Sequence, residues 1–219
     1  KLILQYNGNM KLNFPDKIPV FPLSGVIFFP KTNLPLNIFE ERYLDLVNDC
    51  VENNKLMGMI QAKKNSNEVY RVGCLGKIID FQKSQDGRIL INLSGVTRFE
   101  IKEEIKNNKL YREFVVDYNK YLLDVEEDEK IFLDHSKMNI LYKKIKSFFK
   151  KNGLLLNWLE FSNLEQMQQI NTLAMIAPIS NEEKQKLLET LTLNDKVETL
   201  LNIVEFYLHE NKLDSSTVQ

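Results

Sequence analysis

The sequence predicts an α+β protein, in which a small β-barrel with one inserted helix is followed by an α-helical bundle. Short apolar segments between Gly, Pro, Asn and Asp residues run from 18 to 122 and have the length of strands. One early stretch, 39–53, instead has apolar residues three and four positions apart, which is the spacing of one helix face. From 123 to 210 the spacing is helical throughout. We therefore place a domain boundary near residue 123.

Four prolines divide the start of the predicted barrel into short pieces. Pro19, Pro22, Pro30 and Pro35 each lack a backbone N–H and have a fixed φ, so edge strands and bends suit these pieces better than the middle of a sheet. We predict the order strand, bend, strand, strand and then the helix at 39–53. The apolar segments of these strands include 19–23, 26–30 and the residues that follow Leu34.

Further strand signals continue to residue 121. The stretch 56–60 is short and apolar enough to be a buried strand. Asp86-Gly87 between two alternating runs predicts a hairpin, because Gly adopts positive φ without steric cost. Separate strands are predicted beyond the hairpin at 89–93, 96–101 and 110–121. Six or more short strands favour a closed or nearly closed barrel.

Four amphipathic helices are predicted in the second half. Asn152-Gly153 is a common helix end, and Ser180 followed by Glu183 has the pattern of a capping box. Helices on short connections predict a compact bundle. The flanking segments 1–17 and 211–219 are polar, and we expect an extended arm and a polar tail. The apolar stripes of the four helices lie within 131–149, 164–174, 187–191 and 197–208.

The composition argues against several classes of protein. With 43% hydrophobic and 27% charged residues, the chain of 219 residues has enough apolar side chains for a core. The net charge of −1 gives no overall attraction to polyanions, which disfavours nucleic acid as a partner. No run approaches the ~20 apolar residues that a membrane helix requires. We expect a cytoplasmic protein that does not bind membranes.

The sequence contains no recognisable motif for catalysis or metal binding. The fragment 73–78 has two glycines and a lysine, but its spacing differs from that of a phosphate-binding loop. His135 and His209 lack a second ligand at helical spacing, and Cys50 and Cys74 suit a reduced core better than a metal pair. We therefore predict no catalytic residue, no metal and no cofactor.

The adjacent Phe28 and Phe29 are the one hint of a binding surface. In a strand, neighbouring side chains point to opposite faces, so only one ring can enter the barrel core. The other ring is either covered by the helix or the bundle, or exposed. Beside Pro30 and Pro35, an exposed ring and an incompletely paired edge would accept an extended peptide by strand addition. Phe28, Phe29 and Leu34 are therefore the predicted peptide-binding residues.

Several motifs between 18 and 120 occur in an order that resembles the amino-terminal domain of the Lon protease family. They include Pro-Val-Phe-Pro-Leu at 19–23 and Leu-Ser-Gly-Val-Thr-Arg-Phe-Glu-Ile at 93–101. The resemblance is strongest to short stand-alone members that have no protease attached. Glu40, Arg42, Tyr43 and Arg98 lie inside these motifs, and we expect structural roles for them, with each arginine bonding a carboxylate or strand-end carbonyls across the barrel. The remaining motifs are 26–30, 34–40, 42–44, 70–78 and 86–88.

This resemblance implies both a fold and a function. The fold is the pseudouridine-synthase-associated (PUA-like) barrel, and the function is recognition of unfolded or degron-bearing polypeptides without chemistry of its own. Such a protein would act as a substrate-recognition or adaptor module for an ATP-dependent protease. Two alternatives stay open: an RNA-binding PUA-like module, which needs a basic or aromatic face, and the amino-terminal piece of a longer Lon-type protease.

Overall fold

Strands come first and helices last in the computed structural model, which describes residues 14–125 and 133–214. The α+β class is therefore as predicted. Parts of the predicted arm (1–13), of the boundary region (126–132) and of the tail (215–219) lie outside the described residues. The strands are β1 (Lys17–Leu23), β2 (Asn33–Ile38), β3 (Leu56–Gln61), β4 (Val72–Lys83), β5 (Ile89–Ile105) and β6 (Arg112–Asp117). The helices are α1 (Glu41–Glu52), α2 (His135–Lys151), α3 (Trp158–Ser162), α4 (Gln166–Ile176), α5 (Asn181–Glu189) and α6 (Leu193–Asp214), with a 3-10 helix at Asn119–Val125.

The six strands form one sheet in the order β2-β5-β4-β3-β1-β6. Among these six described strands, β1 and β3 pair in parallel, and the other pairs are antiparallel. The 17-residue β5 pairs with β2 along its first part and with β6 along its last part. Because β6 is the last strand in this order, its pairing with β5 brings that edge of the sheet back to β5.

The long β5 corrects the prediction of two strands at 89–93 and 96–101. The strand stays continuous through Ser94-Gly95, a dipeptide that is common in turns, because both residues pair with β4. Gly95 donates its N–H to the carbonyl of Thr32 at 2.8 Å and accepts from the N–H of Lys31 at 2.9 Å. A Cβ on Gly95 would lie 2.1 Å from the carbonyl oxygen of Phe29, so only glycine permits this approach.

The predicted strand at 26–30 is absent. The segment instead crosses irregularly from β1 to β2, and it begins at Gly25 with a φ of +88°. The side chains of residues 27–30 are nevertheless buried, whereas Val26 is exposed. Phe28 packs in the cluster beneath α1, whereas Phe29 packs in the cluster formed mainly by the other helices.

Two packing layers cover the sheet. Helix α1 buries Tyr43, Leu46, Val47 and Cys50 against it, on the helical spacing predicted for 39–53. The later helices share a core with four residues of the first half, and so the two halves are packed together along a common apolar surface. Both cysteines are buried and unbridged. The four shared residues are Ile27, Phe29, Val72 and Tyr121.

The helix ends in the second half follow the predicted signals. Ser180 and Glu183 make the reciprocal capping box, and the backbone of Gly153 has a φ of +68° just after α2. Helix α6 extends to Asp214, four residues into the predicted polar tail. The five-residue α3 was not predicted, since one and a half turns are too short for a helical repeat to be recognised.

A buried polar network also joins the two halves. Lys196 of α6 donates to the Oδ1 of Asn171 at 2.7 Å, and the Nδ2 of Asn171 donates to the carbonyl of Pro30 at 2.9 Å. Both side chains are almost fully buried. The amino group of Lys196 lies 5.3 Å from the centre of the Phe29 ring. The domain boundary near 123 stays a prediction, and the contacts across it are extensive.

Burial makes Lys196 a source of pH-dependent stability. It lowers the pKa of the amine from 10.5 to about 7, and the charge of Arg98 adds to this effect. Above pH 7 and up to about pH 10.5, the unfolded chain therefore binds a proton that the folded chain lacks, so the free energy of unfolding rises with pH in this window. The slope from this group is at most about 1.4 kcal/mol per pH unit, and it vanishes below pH 7, where both states are protonated.

Lys196→Met is expected to remove this slope. Urea unfolding of both proteins across the window gives the measurement, with the difference between the two curves as the quantity of interest. Parallel pH profiles for the two proteins would contradict the assignment.

None of the helices in 14–125 and 133–214 has both the length and the apolar character needed to cross a bilayer.

Candidate functional site

The predicted peptide-binding residues are all buried. Phe28 is 2% exposed, Phe29 0% and Leu34 8%, so the expectation of an exposed ring at this position is wrong. The two rings do point to different sides, but each side is covered: α1 and the sheet enclose Phe28, and the later helices enclose Phe29. An incoming polypeptide could reach none of the three without unfolding part of the core.

The motif residues at the start of α1 make local contacts. Arg42 donates to the carboxylate of Glu40 at 2.8 Å in an exposed pair, not across the sheet. Its guanidinium lies 4.5 Å from the centre of the Tyr43 ring, and that ring packs on Phe21 with 3.9 Å between centres. Burial raises the pKa of the Tyr43 phenol. These contacts position the first turn of α1 on the end of β1.

A polar cavity of about 610 Å³ lies beside this turn, but its cations already have partners. Arg112, on one wall, bonds both carboxylate oxygens of Glu104 at 2.7 and 2.6 Å. Arg42 is held by Glu40. Both arginines that line the cavity are therefore already paired with a carboxylate.

A groove between α2, α3 and α4 has a different character. It encloses about 300 Å³ and combines an aromatic floor with a neutral or basic rim. Its volume is at the lower end of the range for ligand sites, which suits one or two side chains of a longer ligand. The residues that line it are Leu133, His135, Met138, Asn139, Tyr142, Lys146, Trp158, Phe161, Ser162, Gln166 and Gln169.

Helix periodicity places one wall of the groove. His135, Asn139, Tyr142 and Lys146 are spaced three and four residues apart on α2, so they form a single stripe along the helix. The neighbouring stripe, which includes Met138, Leu141 and Ile145, packs into the core. The wall is therefore rigid, because the same helix is anchored along its length.

The aromatic rings of the groove hold one another in place. Phe161 meets both Tyr142 and Trp158 edge to face, with ring centres 6.0 and 5.4 Å apart. Trp158 also packs on the buried Phe149 at 6.1 Å. The amino group of Lys146 lies 4.9 Å from the centre of the Trp158 ring, within reach of a cation–π contact.

Gln169 fixes the opposite wall. Its Oε1 accepts a short hydrogen bond from the hydroxyl of Tyr142, and its Nε2 donates to the carbonyl of Leu164 at 2.7 Å. Burial raises the pKa of Tyr142 to about 12, so the phenol remains a neutral donor at physiological pH. The turn between α3 and α4 is thereby tied to α2.

Exposed leucines flank Trp158 in the sequence. Leu155 is 100% exposed and Leu159 is 78% exposed, whereas Leu156 between them packs partly on the core. Gly153 ends α2 and turns the chain outward, which leaves this apolar segment at the surface. Large exposed apolar side chains within a few residues of a ring that lines a concave site are a feature of many binding surfaces.

Comparison with known proteins places the chain in a family. A sequence model described as the substrate-binding domain of ATP-dependent protease La (LON) matches residues 17–205. The chain belongs to this family. Relatives of this Lon substrate-binding domain include the Lon protease of Anaeromyxobacter dehalogenans, which is 22% identical over 94% of the chain, and that of Buchnera aphidicola subsp. Schizaphis graminum, which is 26% identical over 86%. The chain spans 25% of the length of each of these relatives.

Solved structures show the same fold. The Lon N-terminal domain protein from Xanthomonas campestris has a TM-score of 0.62 at 22% identity, with 85% of this chain and 97% of that chain covered. The N-terminal domain of Mycobacterium avium complex Lon protease also has a TM-score of 0.62, at 14% identity, with 86% and 98% covered. The resemblance drawn from the motifs is therefore confirmed for the family and for its overall fold.

The groove of this Lon domain was missed in the sequence because its walls come from three helices. The motif residues that support the family resemblance lie in the first half, whereas the groove lies entirely in the second. One local signal was present: Leu154-Leu155-Leu156 and Trp158 follow a helix-ending Asn152-Gly153, in a stretch too short for a core helix. Within the described parts of the chain, no group of three His, Cys, Asp or Glu residues could hold a metal ion.

Proposed function

We propose that this Lon substrate-binding domain holds an extended, partly apolar segment of an unfolded or degron-bearing polypeptide in the groove between α2, α3 and α4. The observation that supports the groove is its aromatic lining of Tyr142, Trp158 and Phe161, together with the exposure of Leu155 and Leu159 close to Trp158 in the sequence. Burial of one leucine side chain is worth about 1.5–3 kcal/mol before the cost of ordering the ligand. Two such contacts and one ring pocket suit weak, sequence-tolerant binding of unfolded chains.

The same proposal includes the finer parts of the family resemblance. The domain performs no chemistry itself and presents polypeptides to an ATP-dependent protease, either as a separate adaptor or as part of a longer chain. The pairing of β5 with β6, which returns the strand order to β5, supports a PUA-like barrel. A cytoplasmic location completes the proposal.

A double variant, Leu155→Ser with Leu159→Ser, tests the groove. Each serine removes apolar area that would contact the ligand, and we expect about tenfold weaker binding of an unfolded polypeptide. Stability should change by less than about 0.5 kcal/mol per site, since both side chains are exposed. Binding is measured by fluorescence anisotropy of labelled, reduced and alkylated ribonuclease A, an unfolded polypeptide without tryptophan. Emission from Trp158, the single tryptophan of the chain, reports contact at the groove itself.

The matched control is Leu110→Ser with Leu191→Ser. These leucines are 58% and 53% exposed and lie away from the groove, so binding should be retained. Equal affinity of the test and control variants would place the polypeptide elsewhere. Tighter binding of single-stranded RNA than of the polypeptide, in the same assay, would favour the RNA-binding alternative.

A further inference from the structure

We infer that the groove selects apolar segments that are flanked by acidic residues, and that it discriminates against segments with basic flanks. This inference rests on the proposed function and adds the charge of the substrate class. The supporting observation is the distribution of lysines around α2, which differs between the flank at the groove and the flank at α6.

The lysines of α2 fall into two sets. Helical geometry places Lys143 and Lys150 within about 60° of Lys146, which lines the groove, so the three share one flank of α2. Lys137, Lys144 and Lys151 lie on the opposite flank by the same geometry. The two sets have equal charge and belong to one helix, and so they form a natural pair for comparison.

Carboxylates of α6 pair with two of the three lysines opposite the groove. Lys137 pairs with Glu198 of α6 at 2.6 Å, and Lys144 pairs with Glu205 at 3.3 Å. Among the described side chains, those of residues 14–125 and 133–209, no carboxylate lies within ion-pair distance of the three lysines at the groove. These three lysines therefore keep their charge available to a partner.

The groove itself adds no negative charge. Its lining consists of apolar, aromatic, neutral polar and basic side chains, without Asp or Glu from the described parts of the chain. Glu165, at the start of α4 nearby, is already bonded to Lys31 at 2.8 Å. A ligand in the groove thus meets a positive potential from one side and no compensating carboxylate from the lining.

Apolar and ionic recognition meet at one point. The amino group of Lys146 lies 4.9 Å from the Trp158 ring centre, so a side chain seated on the ring has a cation beside it. A carboxylate one or two positions along the bound segment would then reach Lys143, Lys146 or Lys150. A lysine or arginine at that position would be repelled. Each exposed pair changes affinity by a factor of up to about five, and three together give about tenfold selectivity at low salt.

The test uses three short peptides with one shared apolar centre, Leu-Phe-Leu, and with Asp, Ser or Lys flanks. We expect the Asp-flanked peptide to bind about tenfold more tightly than the Lys-flanked peptide, and the difference to shrink as salt is raised. Trp158 emission and the anisotropy of labelled peptide are both recorded. The triple variant Lys143→Gln, Lys146→Gln and Lys150→Gln should abolish the preference.

The control is the triple variant Lys137→Gln, Lys144→Gln and Lys151→Gln, which removes the same charge from the other flank and should retain the preference. Equal binding of all three peptides to the wild-type domain overturns the charge selectivity and leaves the proposed function standing. A preference lost equally in both triple variants also overturns the inference, because net charge would then explain it. Binding of no peptide, with no change in Trp158 emission, overturns the inference and the proposed function together.

Discussion

Replacement of Phe29 by Ala is expected to lower the free energy of unfolding by about 3–5 kcal/mol. The ring is 0% exposed and lies in the cluster that the later helices share with the first half, so its loss leaves a cavity between the two. Gly95 and Thr32 bind the backbone around it, which limits how far the segment can collapse into that cavity. Urea denaturation, followed by far-ultraviolet circular dichroism, measures the change.

Phe39→Ala is the matched control. This ring is 67% exposed, and its removal should alter stability by less than about 0.5 kcal/mol. Similar losses in both variants would mean that the Phe29 ring is not part of the core. A large loss at Phe29 alone would exclude it as an accessible peptide contact.

Arg98→Met should have an effect of comparable size, about 3–5 kcal/mol, because it leaves a buried carboxylate unpaired. Arg98 and Asp124 are each 3% exposed. The guanidinium donates to Asp124 from Nη2 at 2.7 Å and from Nε at 2.9 Å, while the backbone N–H of Arg98 donates to the same side chain at 2.8 Å. Its Nη1 donates to the carbonyls of Leu188 and Thr190, at the end of α5. One residue of β5 therefore binds both the 3-10 helix and the helical half.

A double variant separates the ion pair from the packing. Arg98→Met combined with Asp124→Leu removes both charges, and we expect it to recover part of the stability lost in the single variant. Arg42→Met breaks an exposed pair with Glu40 and should cost less than about 1 kcal/mol. Urea unfolding of the four proteins provides the comparison. Recovery of no stability in the double variant would show that the carbonyl contacts of Arg98, and not the ion pair, dominate.

The local elements were predictable where residue type and spacing act over a few positions. The 3.6-residue repeat of Tyr43, Leu46, Val47 and Cys50 specified α1, and the Asp86-Gly87 turn specified the β4–β5 hairpin. The capping box at Ser180 located the start of α5. These signals succeed because each arises from backbone geometry and hydrogen bonding within one element.

Elements that depend on distant partners were less predictable. The stretch 26–30 has the apolar composition of a strand, yet it has no strand beside it and remains irregular. Ser94-Gly95 has the composition of a turn, yet Thr32 and Lys31 provide hydrogen bonds that keep β5 continuous. In both cases the backbone conformation follows from pairing with residues far along the chain.

The sequence by itself determined the class of the fold, the family, and the side to which each neighbouring side chain points. Adjacent Phe28 and Phe29 diverge whether or not a strand forms, because successive Cβ atoms of an extended chain alternate. Only the tertiary structure decided that both rings are covered. Phe28 is covered by α1, which follows it closely in the sequence, whereas Phe29 is covered by helices that begin more than a hundred residues later. The groove was decided in the same way. Its aromatic floor and its unpaired lysines exist only where α2, α3 and α4 converge, and residue spacing within one helix contains no information about the neighbours of that helix.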